Sequence, residues 1–145
     1  MRFAVSRRRF VNILTFGIVG IWSFSSCKGS RKKYRFFTDE EASLVEAITE
    51  QIVPTDEWPG AKEAGVLNFI DKQLAGTYRR FQNVYRRNLA ALSEFCRVTY
   101  GKKFEALEPD FQLRLLENME SGQLNWMGWD SKSARDFFGL IRDHC

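Results

Sequence analysis

Hydrolytic triads and histidine-ligated metals both need imidazole, and this chain of 145 residues has one histidine, His144, beside its last residue. A multi-histidine metal site is therefore excluded, and a Ser-His-Asp arrangement would depend on a single side chain at the chain end. Thiol chemistry is equally sparse. Cys27, Cys96 and Cys145 show neither the Cys-x-x-Cys spacing of a zinc site nor the Cys-x-x-Cys-His of haem attachment. No Gly-x-Gly-x-x-Gly and no phosphate-cradling lysine loop occurs. Asp39, Glu40 and Glu41 are carboxylates in one run, but acids in the first turn of a helix are expected from its dipole alone. Cys96 falls on an apolar helical stripe, where a thiol packs as a small hydrophobe, and an oxidising compartment would leave Cys96 and Cys145 free to pair. The expectation is a chain with no catalytic, cofactor-binding or metal-ligating residues of its own.

The stronger signals lie at the start. Ser6-Arg7-Arg8-Arg9-Phe10-Val11 runs into an apolar stretch from Ile13 to Phe24, twelve residues long. That length suits the ~7–15 residue core of a signal peptide and falls short of the about 20 residues of a spanning helix. Arg7 and Arg8 followed by Phe10 resemble the twin-arginine signal read by the Tat translocase, which implies export of an already folded protein. An arginine-rich secretory signal is the plainer alternative, and Asn12 stands where the twin-arginine pattern often has lysine. Phe24-Ser25-Ser26-Cys27 resembles a lipobox, with Phe24 where leucine is usual. Cys27 is then either the lipid-carrying first residue of a mature lipoprotein or a bystander to simple cleavage or to retention as an anchor. The expected location is the periplasm, in association with the membrane.

Charge divides at the same place. The formal net charge is +4, yet from Phe36 onward thirteen cations face all eighteen carboxylates, a balance of −5. An acidic folded part repels phosphates, so nucleic acid is excluded as a partner. The basic run from Lys28 to Arg35 reads as a solvated tether near anionic headgroups, with no fold of its own. Three regions follow: a signal segment over 1–27, a basic tether over 28–36 and one domain over 37–145.

That domain must be helical. Thr38-Asp39-Glu40-Glu41 is a capping box, followed by Leu44, Val45, Ile48 and Ile52 at helical spacing and stopped by Pro54. From Ala61 the pattern resumes, with Val66, Leu67, Ile70 and Leu74 on one face and Lys62, Glu63, Asp71 and Lys72 on the other, until Gly76. A long helix is predicted over Thr77 to Tyr100, burying Phe81, Tyr85 or Val84, Leu89, Leu92, Phe95, Cys96 and Thr99. Pro109 opens a fourth helix, through Met119, that uses Phe111, Leu113, Leu115 and Leu116. Asp130 or Ser131 caps a fifth, carrying Phe137, Phe138, Leu140 and Ile141. No segment alternates like a strand, so the predicted fold is a single small all-α domain of about five helices.

The run from Ile52 to Val66, through Pro54-Thr55-Asp56-Glu57-Trp58-Pro59-Gly60, followed by Phe69-Ile70-Asp71, resembles the fingerprint of the gluconate 2-dehydrogenase subunit 3 family. The resemblance extends from Phe37 to Cys145 and includes Phe137-Phe138-Gly139-Leu140-Ile141-Arg142-Asp143-His144. It implies a non-catalytic small subunit that carries the export signal for a large FAD-containing subunit of the glucose-methanol-choline type, within a sugar or polyol dehydrogenase. A haem-bearing cytochrome c subunit often receives the electrons. Members usually continue past the equivalent of Cys145 into a Gly-rich, aromatic tail, which is expected to be missing here. For partner contact the candidates are Pro54, Asp56, Trp58, Pro59 and Gly60 in the fingerprint loop, with Trp126 and Trp129 further on, because tryptophans are enriched at interface hot spots. The alternative for the tryptophans is that they fill the core, and for Asp56 that it bonds turn amides. A different class, a free-standing exported lipoprotein acting as an envelope binding module, is the alternative function.

Overall fold

The computed structural model describes residues 33–145. Within that span the expected all-α architecture holds: five α-helices and two 3-10 turns, with no strand among the described residues. Helix α1 spans Asp39–Ile52 and α2 spans Val66–Ala75. A 3-10 turn, Arg79–Phe81, leads into α3, Gln82–Tyr100, and a second, Phe104–Ala106, precedes α4, Pro109–Glu120; α5 spans Ser131–Asp143.

Helix α1 is the hub, because it packs against all four of the others. Its start is fixed by the predicted capping box: the Thr38 side chain accepts from the Glu41 amide while the Glu41 carboxylate accepts from the Thr38 amide. Such a cap contributes about 1 kcal/mol. Its apolar face, Leu44, Val45 and Ile48, is buried, and Ile70, Leu74, Leu89, Leu92, Leu115, Phe137 and Ile141 complete the core around it.

Two boundaries and the buried faces of two helices differ from the sequence expectation. Helix α2 begins at Val66 rather than Ala61, because Gly65 adopts φ 75°, which breaks the helical path after one turn over 61–65. Helix α3 begins at Gln82 rather than Thr77, the preceding residues winding as a turn and a 3-10 segment. Phe111 and Leu113 of α4 are exposed and Thr99 of α3 lies in solvent, whereas Gln112, Leu115, Leu116 and Met119 form the buried face of α4. Phe81 and Phe95 are only partly covered.

Buried polar residues tie these elements together. Asp71, expected on the solvent face, is buried, and its carboxylate accepts the backbone N–H groups of Arg35, Phe36 and Phe37 at 2.7, 2.9 and 3.1 Å. Arg86 reinforces the same strap: it donates to the Phe36 carbonyl at 2.6 Å, lies over the Phe36 ring and pairs with Glu41. The expected tether over 28–36 is thus corrected at its end, since Arg35 and Phe36 are bound to the domain. Gln112 donates to the Phe104 and Leu107 carbonyls and accepts from Gln51, tying α4 to α1. Asn88 accepts the indole N–H of Trp129 at 2.7 Å.

Candidate partner interface

The fingerprint loop is built from the end of α1 outward. The Val53 amide donates to Thr49, Pro54 offers no donor, and the Ala61 amide returns to the Val53 carbonyl at 2.9 Å, closing the loop on itself. Ala61 is fully buried and anchors the return. Inside the loop the Glu50 carboxylate accepts from the Thr55 hydroxyl at 2.9 Å, the Thr55 amide at 3.3 Å and the Lys62 amide at 2.9 Å. The Lys62 amide, then the Thr55 hydroxyl, hold the Glu50 carboxyl below its ordinary range. Asp56 accepts from the Trp58 amide at 2.8 Å, while its own amide donates to the Trp58 carbonyl. Asp56 is therefore a turn-forming residue.

Gly60 completes the closure, and this corrects its expected place in the interface. It is buried, and a Cβ there would stand 2.5 Å from the Thr55 amide nitrogen and 2.8 Å from Glu50 Oε1. Only glycine lets those groups meet. What this wiring presents is Trp58, 76% exposed, flanked by Pro54 and Pro59, both in solvent.

The second candidate segment divides its two tryptophans. Trp126-Met127-Gly128-Trp129 is a two-residue reverse turn, with the Trp126 amide donating to the Trp129 carbonyl and the Trp129 amide donating back. Both central residues take left-handed conformations, Met127 at φ 33° and Gly128 at φ 87°, which is strained for methionine. Trp129 is 4% exposed and belongs to the core, so it is corrected from interface to scaffold. Trp126 is half-buried and meets Phe95 edge-on at 5.8 Å. Met127, at the tip, is 84% exposed.

Sequence reasoning missed that this turn extends into an aromatic row. Phe95 meets Tyr100 at 5.9 Å, Tyr100 meets Phe111 at 6.3 Å, and Arg114 lies over the Phe111 ring. The available signal was the spacing on α4. Gln112, Leu115, Leu116 and Met119 already satisfy i, i+3, i+4, i+7, which leaves Phe111 to face outward.

The groups that might have done chemistry are structurally engaged. His144 is buried, its Nδ1 lies 2.9 Å from the Tyr85 hydroxyl, and its ring stacks on Tyr78 at 4.4 Å. Burial holds its pKa below the ordinary imidazole value and raises that of Tyr85. The Cys96 thiol is buried and pushed up to about 12, the thiolate being the form that burial disfavours. Cys145 is exposed as a residue, but partial cover of its thiol, which donates to the Ile141 carbonyl, raises it to about 11; both are free thiols. Among the described residues no three His, Cys, Asp or Glu side chains gather as metal ligands. No helix among them is long and apolar enough to cross a membrane. Arg7, Arg8, Phe10 and Cys27 lie outside the described residues.

A family model described as gluconate 2-dehydrogenase subunit 3 matches residues 39–145. No curated protein and no solved structure matches the chain.

Proposed function

The chain belongs to the gluconate 2-dehydrogenase subunit 3 family, and from that premise we propose that it is the non-catalytic accessory subunit of a flavoprotein dehydrogenase. It grips a large FAD-containing subunit of the glucose-methanol-choline type and carries it through the twin-arginine route to the periplasmic side of the membrane. The substrate class is a sugar or polyol, oxidised on the large subunit. A cytochrome c subunit would pass the electrons on through its haem, and Cys27, if lipidated, would hold the assembly at the membrane surface.

The observation that carries the proposal is Trp58. A tryptophan three-quarters exposed, on a loop tied down by Glu50, Asp56 and Ala61, loses little conformational freedom on binding. Large aromatic anchors on ordered backbone are what interface hot spots use. Trp126 and Met127 offer a second apolar contact.

Replacing Arg7 and Arg8 together by lysine tests the export half. The large subunit should then accumulate, folded and FAD-loaded, in the cytoplasm. Its normal arrival in the periplasm would overturn the escort role.

A further inference from the structure

We propose that the Tyr85–His144 hydrogen bond is a pH-sensitive clasp, which fastens the end of α5 to α3 and to the Arg79–Phe81 turn while the imidazole is neutral and lets go when the ring takes up a proton. Such a clasp does not depend on the dehydrogenase partner, and it gives the domain itself a response to acid. His144 is the only histidine of the chain, and the proposed function makes no use of it.

Three segments converge on this ring. His144 directly follows α5 and is buried. Tyr78, just beyond α2, stacks on it at 4.4 Å, and Phe81 of the 3-10 turn meets it edge-on at 5.5 Å. The Tyr85 ring of α3 lies parallel to it at 5.9 Å, with its hydroxyl 2.9 Å from Nδ1. Tyr85 has no exposed surface and packs on Phe37 and Phe137 in the core.

The pair fits one protonation state. The Tyr85 hydroxyl bonds to nothing else among the described residues, and a buried O–H without an acceptor is costly, so the hydroxyl donates and Nδ1 accepts. An accepting nitrogen carries no proton, so the imidazole is neutral with its hydrogen on Nε2. A proton added at Nδ1 turns the acceptor into a donor. The hydroxyl could then only accept, with its own hydrogen turned into a core that offers it no partner.

The surroundings act in the same sense. Burial, the largest influence, opposes the cation; Asp143 favours it and Arg80 opposes it, which leaves the pKa below the ordinary imidazole value. The Tyr78 and Phe81 rings attract a cation, but an imidazolium there must also give up water and orphan the Tyr85 hydroxyl. Tyr85 and the Cys145 thiol, both raised by burial, stay neutral while the imidazole titrates. Nearby, Arg79 is engaged with the Ala75 carbonyl, Arg86 with Glu41 and Arg142 with Glu120. An opened clasp frees the imidazole to titrate near its ordinary value of about 6.5. Closure is therefore complete above that value and is lost as pH falls from it to the lower folded one, the open fraction rising by up to about tenfold per pH unit. Phe137 and Ile141 stay buried in either state and keep the rest of α5 seated.

The test is an NMR titration of the full chain, reading the His144 ring protons and their nuclear Overhauser contacts to Tyr78, Phe81 and Tyr85. The ring should titrate below the ordinary imidazole value and lose those contacts as it protonates, while the contacts between Tyr85 and Phe137 persist. Tyr85→Phe keeps the ring and removes the donor, so the titration should move up toward the ordinary value. His144→Asn lets an amide oxygen stand where Nδ1 does and takes up no proton, so in urea unfolding the unaltered chain should lose stability relative to this variant as pH falls through the window. A ring that titrates at or above the ordinary value, or that keeps all its contacts once protonated, would overturn the clasp, and both are read on the unaltered chain. An unmoved titration in Tyr85→Phe, or parallel pH dependences for the unaltered chain and His144→Asn, would overturn it as well.

Discussion

The fingerprint loop and the Trp126–Trp129 turn use the same residue type for opposite purposes. In the turn, the Trp129 indole N–H finds the Asn88 side chain inside the core, and the ring is buried. In the loop, the hydrogen bonds of Asp56 and Glu50 are spent on backbone and hydroxyl groups, and Trp58 is left pointing out. Each segment is immobilised, one by its tryptophan and the other around it. A tryptophan beside a turn is thus scaffold when a buried acceptor awaits its N–H, and a presented surface when the turn is completed without it.

The sharpest way to break that distinction is to remove each ring. Trp129→Ala should destabilise the domain by about 3–5 kcal/mol, the cost of a cavity in a packed core, with Asn88 additionally left without its partner. Thermal or urea unfolding measures it, and a change below about 1 kcal/mol would mean that the ring is not core. Trp58→Ala should change stability by no more than about 0.5 kcal/mol. It should weaken capture of the large subunit by about 2 kcal/mol, some thirtyfold, as loss of a hot-spot anchor does. Unchanged capture would leave Met127 and the aromatic row as the contact.

A smaller effect separates presentation from contact. The Glu50 carboxyl is held below its ordinary value by the Lys62 amide and the Thr55 hydroxyl. Its contribution is therefore present above the unfolded carboxylate pKa and is lost as pH falls through the lower folded one. Hydrogen exchange at the Lys62 and Thr55 amides should stay slow at neutral pH and accelerate in that acid window. In Glu50→Gln, where an NH2 replaces one acceptor oxygen, the Lys62 amide should lose its protection at every pH while the Thr55 amide can keep the remaining oxygen, with weaker capture although Trp58 is intact. Exchange that is fast in the unaltered protein at neutral pH would contradict a preorganised loop.

Local rules were legible in the sequence. The capping box at Thr38, proline at the first turn of α4, the Asp130 cap of α5 and the stripe Tyr85, Leu89, Leu92, Cys96 all stand as read. Each depends on residues three or four apart. What stayed hidden depends on partners 36 and 41 residues away for Asp71 and Asn88, and 61 for Gln112 with Gln51. All three polar residues occupy core-facing positions of otherwise apolar stripes: Leu67, Ile70, Asp71, Leu74; Tyr85, Asn88, Leu89, Leu92; Gln112, Leu115, Leu116, Met119. A polar residue in such a position means a buried hydrogen bond, but periodicity cannot name the other partner. Reading Asp71 as a solvent-facing acid hid the strap.

In the candidate interface the family fingerprint located the loop, while exposure distinguished its members. Trp58 is presented, Gly60 is packed and Trp129 is core. The Phe95-Tyr100-Phe111 row escaped because it joins α3 to α4, a contact that spacing within either helix does not reveal.

The central claim is that this chain binds and delivers a flavoprotein and carries no reactive machinery. Affinity isolation of the full-length chain from its own envelope fraction, followed by the visible absorption spectrum and a sugar-oxidation assay of each separated component, tests it most directly. The expected result is a larger companion that holds all the FAD and all the turnover, with the small chain colourless and inert. Flavin or turnover on the small chain alone, or its isolation as a lone colourless monomer, would contradict the account.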